Sequence, residues 1–421
     1  MNSKFYKYSL CFCALLSVTV SAFGQAGQLD ATFGKGGIAT QQAVTTTENF
    51  FSVGGVAIQS DGKIVIAGGV PENNGPALLR FFSNGALDKT FGVNGIAILP
   101  NSTVPFSSVA IQSDGKILAG GIGSDGVDGE IDRFTTTGNL DTSFGASGRV
   151  IFSMASTQGL AVQPDGRILV ALEGIQGSGL ASQVTRLLNN GATDTTFGTN
   201  GFAVPPGGSG PLAVVANGDI LVFSGLISKL TDSGAVDTTF GVSGQLLVPT
   251  SVNAQLKALT SVHALAANGD ILVAGTLVNN PAIFSSGLAA FAYQSVGIGD
   301  PAFGKNGGVS TPFASFPTVI AAGVGVESTG DIVELATLFP TVSTVGTGAF
   351  GLVRYTPQGQ LDTNFGSGGT VATGFGNNAT PSASSIAIQS DNKIVVAGTV
   401  LTPGLHGALK TALVVARYLS K

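Results

Sequence analysis

The sequence predicts an all-β protein, a seven-bladed β-propeller of four-stranded antiparallel blades whose ring is closed by the N-terminal strand. Three observations carry this. A hairpin unit at Gly54–Gly69 returns along the whole chain. An Asp-x-x-Phe-Gly-x-x-Gly frame recurs, beginning at Asp30, Asp88, Asp141, Asp194, Asp237, Asp300 and Asp362. A basic residue stands about one strand before most of these aspartates. Together they define a period of four strand-sized segments and no helix, which is the pattern of propeller blades.

The hairpin unit reads as two strands and a tight turn. Val56, Ile58, Ile64 and Ile66 alternate as in half-buried strands, and Asp61-Gly62 is a two-residue signal of the type I′ class. Close copies stand at Val109–Gly121, Leu160–Val170 and Ile386–Gly398, and weaker ones at Leu212–Gly225, Val262–Gly275 and Gly323–Leu335. The frame keeps its Phe every time: Phe33, Phe91, Phe144, Phe197, Phe240, Phe303 and Phe365. Such a residue packs between neighbouring blades. The Asp, short and placed at a turn, accepts backbone N–H groups as an Asx-turn. Repetition argues against the alternative of a metal ligand.

Arg80, Arg133, Arg186, Lys229, Arg354 and Arg417 occupy one position of the third strand, and blade 5 has Ala292 there. Each cation is expected to pair with a carboxylate near the blade's lower turn, such as Arg80 with Asp88, as a bidentate clamp where Arg is present. The rival reading is a basic ring for an anionic ligand.

The phase of the repeat predicts closure. With the Val-Ala-Ile-Gln strand innermost, the chain begins with an unpaired outer strand near Gly36–Thr40 and ends with an unpaired third strand, Leu413–Tyr418. The two ends pair in one composite blade and remove the exposed edge. A membrane barrel fits less well: these strands are shorter, there is no Trp, and aromatic girdles are missing.

Composition agrees. Of 421 residues, 62 are Gly and only 10% are charged, against roughly 25% in ordinary soluble domains. The net charge of −5 argues against a nucleic-acid partner. Residues 1–24 read as a signal peptide. Lys4 and Lys7 precede the apolar run Leu10–Val20, too short to span a bilayer, and small residues follow it. Cys11 and Cys13 both lie inside it. The expectation is one propeller domain over residues 25–421, exported to the periplasm or exterior, monomeric, with no membrane-spanning segment in the mature chain.

The succession Leu-Asp-x-Thr-Phe-Gly-x-x-Gly, Val-Ala-Ile-Gln-x-Asp-Gly-Lys-Ile-Val-x-Ala-Gly and Arg-Phe/Tyr-x-x-x-Gly resembles the delta-60 repeat of bacterial exported proteins, which is similar to NHL-type propeller repeats. The resemblance covers nearly all of the mature chain and is degenerate in repeats four to six. It implies a propeller and no reaction.

For function, the expectation is a binding or interaction scaffold for a protein or glycan, acting through the long connections on one face. Variable loops on a rigid frame commonly carry recognition. The alternatives are a carbohydrate hydrolase or lyase with carboxylates at the channel mouth, and a structural envelope or adhesion component. No catalytic or cofactor-binding residue is assigned, and no cofactor. The carboxylates Asp125, Asp128 and Glu130 are the one cluster of a type that binds Ca²⁺, although their spacing is not that of an EF-hand loop. His263 falls in an inner strand and His406 in a loop. At the hairpin turns, Lys63, Lys116, Arg167 and Lys393 face Asp219, Asp270 and Asp331 around the ring, a basic arc against an acidic one.

Overall fold

Short alternating strands leave each segment apolar on both faces once neighbours stack on it, and the chain resolves this by ring closure. The computed structural model describes residues 25–42, 51–70, 75–99, 102, 104–123, 125–175, 179, 181–247, 259–265, 269–280, 285–340, 348–376, 378–403 and 409–421. The expected signal peptide and His406 lie outside them.

Seven four-stranded antiparallel sheets form seven blades. Blade 1 runs from inside to outside as Ser52–Ile58, Ile64–Val70, Gly75–Phe81 and Ile96–Ile98. Blades 2 to 6 repeat the order, beginning at the inner strands Ser108–Ile111, Ala155–Val162, Leu212–Val214, Leu259–Leu265 and Thr318–Val326. Blade 7 takes Thr380–Ile388, Ile394–Pro403 and Leu409–Tyr418 from the C-terminal end, and its outer strand is Ile38–Gln42. That strand pairs antiparallel with Leu409–Tyr418, with Ile38 opposite Ala416 and Gln42 opposite Ala412. Closure by the N-terminal strand is therefore as the phase of the repeat predicts.

The third and fourth strands of blade 7 lack a covalent turn, and the two chain ends rebuild one. Gly27 N donates to Leu419 O at 2.7 Å, Leu419 N to Gln28 O at 2.9 Å, and Asp30 N to Arg417 O at 2.8 Å. No helix occurs among the described residues.

The second strands begin fully buried, and Ile64–Val70 is buried throughout, because a blade covers each face; Ile168–Gly174 and Ile394–Pro403 emerge at their ends. The apolar core is accordingly not one body. Among the described residues it divides into seven clusters, each shared by two adjacent blades.

One arrangement repeats at every boundary. The frame Phe packs under the turn that follows the third strand of the next blade. A Cβ on Gly85 would stand 3.0 Å from the Phe33 ring, and one on Gly138 2.9 Å from the Phe91 ring, so only Gly allows this approach. The glycine after the Phe donates its amide to the same turn: Gly34 to Asn84 O at 2.7 Å, Gly92 to Thr137 O at 2.8 Å, and likewise Gly145, Gly198, Gly241, Gly304 and Gly366.

At five boundaries a guanidinium lies over that Phe, with Arg80 4.4 Å from the Phe91 centroid and Arg186 4.8 Å from that of Phe197. Arg80 Nε donates to Asp88 Oδ2 at 2.9 Å, and its Nη1 donates to Thr136 O of the next blade at 2.6 Å. Arg186 does the same with Asp194 and Asp232 O, and Arg354 with Asp362 and Ser420 O. Arg133 and Arg417 reach Asn189 O and Ser83 O.

The pairing of Arg with Asp is as expected, but it is not fork to fork. The other carboxylate oxygen, Asp88 Oδ1, accepts the amide and hydroxyl of Thr90, so only one oxygen remains for the guanidinium. Those bonds are the expected Asx-turns. Lys229 instead bridges Asp237 and Asp219, each at 3.0 Å. Ala292 leaves the blade 5–6 boundary without a cation at this position; its Phe and amide bond remain, and Ala321 N and Tyr355 OH of blade 6 donate to Thr276 Oγ1 and Thr311 Oγ1 of blade 5.

The hairpin turn differs from expectation. Gly62 alone has positive φ (+80°), Gln59 O accepts Gly62 N at 2.9 Å, and Gln59 N donates to Lys63 O at 2.8 Å. This is a three-residue loop ending in a left-handed residue, not a type I′ turn. Asp61 Oδ1 accepts the Lys63 amide at 3.1 Å, and Asp61 itself is not a positive-φ residue.

Two outcomes check this account. Phe197→Ala removes a fully buried ring from the blade 3–4 boundary and is expected to cost ~3–5 kcal/mol in chemical denaturation; a loss under ~1 kcal/mol contradicts the packing role. Deleting residues 29–40 strips blade 7 of its outer strand. A lower melting temperature and self-association in light scattering are expected, and a monomer of full-length stability contradicts closure.

Candidate binding site on the hairpin-turn face

The turns between strands one and two, and between strands three and four, share one face of the ring, and the longer connections lie on the other. The cavity that the structure describes opens on the hairpin-turn face, opposite to the long connections on which binding was expected. It has a volume of about 920 Å³ and lies where blades 6, 7 and 1 meet. Its floor is aliphatic: Ile58, Val326 and Ile388 end the three inner strands. Ser60, Ser328 and Ser390 rise above them from the turns. Toward the rim the wall is Thr32, Ser83 and Asn84 on one side, and Asp391, Asn392 and Lys393 on the other.

Behind the serines runs a ring of amide and carboxyl side chains, one at the end of each inner strand where the repeat keeps it. Gln59 Nε2 donates to Gly115 O at 3.1 Å. Gln112 Nε2 donates to Asn189 Oδ1 at 2.7 Å, and Gln163 Nε2 to Asp232 Oδ1 at 2.7 Å. Each reaches into the following blade. Glu327 takes the same position in blade 6, where its Oε2 accepts Ser420 Oγ at 2.6 Å and its Oε1 accepts Arg354 Nη1 at 3.4 Å. Burial pushes the Glu327 carboxyl above its usual range, and the Ser420 hydroxyl and Arg354 charge only partly oppose this. Gln389 lines the cavity itself, and its Oε1 has no hydrogen-bond partner.

The turn charges do not form a basic arc. Lys63 is bound by Asp61, Lys116 by Asp114 and Asp141, Arg167 by Asp165 and Asp194, and Lys393 by Asp391 at 2.8 Å. Each cation is thus neutralised by the aspartate two residues before it. Asp141 also shows how the frame tunes its acids. Burial would raise its pKa, but the Ser143 hydroxyl and amide, Lys116 and Arg133 bring it down to about 2.

The carboxylates singled out in the blade 2 connection are engaged with the protein. Asp125 Oδ1 accepts the amides of Val127 and Asp128, each at 2.9 Å, and Asp128 Oδ1 accepts Met154 N at 2.7 Å. Glu130 Oε2 lies 3.5 Å from Arg149 Nη1, and Arg149 Nε donates to Asp132 Oδ1 at 2.9 Å. No group of three potential metal-ligating side chains was found among the described residues. Glu130 and Asp132 are both buried beside one guanidinium, that of Arg149. Burial, then the Asp132 charge, push Glu130 up to about 8. His263 does lie in the inner strand of blade 5, Leu259–Leu265.

Four segments, residues 59–91, 112–144, 163–197 and 341–365, match a family model described as a domain of unknown function (DUF5122) β-propeller. The chain is a β-propeller of the repeat type. No curated protein matches it in sequence. Among solved structures, it is similar to a polysaccharide lyase at 12% identity and TM-score 0.47, covering 90% of this chain and 98% of that one. An α-L-arabinofuranosidase from Fusarium graminearum, bound to an iminosugar inhibitor, matches at 11% identity and TM-score 0.43, over 92% and 98%. A PQQ-bound aldose sugar dehydrogenase from Streptomyces coelicolor matches at 12% and 0.35, over 90% and 97%. Likenesses this distant carry no function across.

Sequence reading missed Glu334, which alone among the second-strand residues at its level is charged. Its carboxyl is fully buried, and neither oxygen has a hydrogen-bond partner. Burial pushes its pKa well above the ordinary 4.5. A group whose pKa is raised on folding contributes its full share of stability below its unfolded value and loses it as pH rises. Glu334→Gln is therefore expected to leave the melting temperature nearly unchanged at pH 4 and to raise it at pH 8. Equal melting curves at both pH values contradict the buried, unpaired carboxyl.

Proposed function

We propose that this chain is an exported, monomeric binding scaffold, and that recognition takes place in the cavity shared by blades 6, 7 and 1. The observation that carries the reading is the cavity itself: about 920 Å³, polar-walled and aliphatic-floored, on a frame whose boundaries are held by a repeated staple. Sites of this size and mixed lining commonly take small molecules. The N-terminal segment Lys4–Gly24 supports export, and the repeat frame supports a place among the delta-60 repeats. Complete ring closure leaves no long sheet edge, which supports a monomer.

The carboxylates of the cavity favour binding over sugar hydrolysis. Glu327 is 1% exposed, with both oxygens engaged, and Asp391 is held by Lys393. A general acid and its partner must reach a substrate from both sides of the scissile bond.

Native mass spectrometry of the protein isolated from its own envelope or medium checks the reading. A one-to-one adduct of several hundred daltons is expected, lost in Ser390→Trp, which fills the cavity. An adduct that survives Ser390→Trp, or only the bare chain mass, contradicts it.

A further inference from the structure

Two neighbouring boundaries of the ring share the same three cross-blade bonds and differ in two residues. At the blade 6–7 boundary Gly366 N donates to Ala26 O at 2.8 Å, Ala383 N to Thr337 Oγ1 at 2.9 Å, and Tyr418 OH to Thr373 Oγ1 at 2.8 Å. At the blade 5–6 boundary Gly304 N donates to Gln358 O at 2.7 Å, Ala321 N to Thr276 Oγ1 at 2.7 Å, and Tyr355 OH to Thr311 Oγ1 at 2.9 Å. The first difference is the cation. Arg354 crosses the 6–7 boundary to Ser420 O at 2.6 Å, and blade 5 has Ala292 in its place. The second difference lies on the second strands, Ile332–Phe339 and Ile394–Pro403. Two residues past their starts, blade 7 has Val396 and blade 6 has Glu334.

This position faces the preceding blade. The residues opposite Glu334 in its own sheet are Val324 and Val353, and both pack in the cluster shared by blades 5 and 6. Blade 5 brings Leu272, Leu288, Ala290 and Ala292 to that cluster, none of them titratable. His263 pairs with Val273, which belongs to the cluster on the other side of blade 5. The titratable neighbour of the carboxyl is Tyr355, whose hydroxyl is given to Thr311. Glu334 is 0% exposed, and neither oxygen has a hydrogen-bond partner. A carboxylate is not sustained in such a place, so the closed boundary keeps the proton. The ionised form has to reach water, and the face that must part to admit water is the one against blade 5. No guanidinium from position 292 ties that face shut.

We propose that the blade 5–6 boundary is a pH-sensitive seam, closed while Glu334 is protonated and parting ahead of the other boundaries when that proton passes to water. Above the ordinary carboxyl range each opening releases one proton. Opening therefore grows by ~10-fold per pH unit until the closed form itself ionises. The ring yields at this seam rather than at the blade where its two ends meet.

The test is amide hydrogen exchange of the mature protein at about pH 5.5, 6.5 and 7.5, read as protection relative to the free chain. Gly304 and Ala321 are the reporters, because their amides are bonded across the seam. Their protection is expected to fall ~10-fold per pH unit. That of Gly366 and Ala383, the same two bonds at the next boundary, is expected to stay level. In Glu334→Gln, and in Glu334→Val, which installs the blade 7 side chain, protection of Gly304 and Ala321 should become independent of pH. Melting curves establish that each variant is folded. Level protection of Gly304 and Ala321 in the unaltered chain overturns the proposal, and so does a pH dependence that both variants keep. A fall shared by Gly366 and Ala383 overturns it as well, because the ring then opens as a whole and not at one seam.

Discussion

The seven blades depend on one contact, a phenylalanine pressed under the turn of the next blade with a glycine amide bonded beside it. Every boundary shares it, as the amide bonds from Gly34 through Gly366 make plain. The guanidinium is an addition to it. Where it is present, it stacks on the ring, holds the Asx-turn aspartate of its own blade and bonds a carbonyl of the next. Stacking lets a buried Arg keep its charge, because the ring face, one carboxylate and one carbonyl replace its water. Blade 5, with Ala292, keeps the phenylalanine and the amide bond without the guanidinium.

Because the apolar core is divided among boundaries rather than gathered at a centre, each boundary can vary without disturbing the rest. The variation seen is graded. Gln163 reaches an Asp, Gln112 an Asn, and Glu327 accepts a hydroxyl from the C-terminal Ser420. At the blade 7–1 boundary the corresponding residue is Ser83, whose carbonyl accepts Arg417 Nη1.

The architecture was legible in the sequence because it is written in residues with few conformational choices. Phe33 and its six counterparts, the positive-φ glycines and the aspartates that precede them admit one local geometry each, and their phase fixes which strand closes blade 7. The turn class was misread because Asp61-Gly62 serves equally in a three-residue loop, and the bond from Lys63 N to Asp61 Oδ1 decides it. The basic arc was misread for a related reason. Counting Lys63, Lys116, Arg167 and Lys393 leaves out the aspartates two residues earlier, which the turn folds back onto them. The cavity was not legible, since its lining comes from blades 1, 6 and 7, whose residues lie far apart in sequence and meet only after closure.

The most direct test is an experimental structure of the protein purified from its native source without refolding. The account predicts ligand density in the cavity shared by blades 6, 7 and 1, resting on Ile58, Val326 and Ile388. An empty cavity with a bound molecule on the face of the long connections would contradict it.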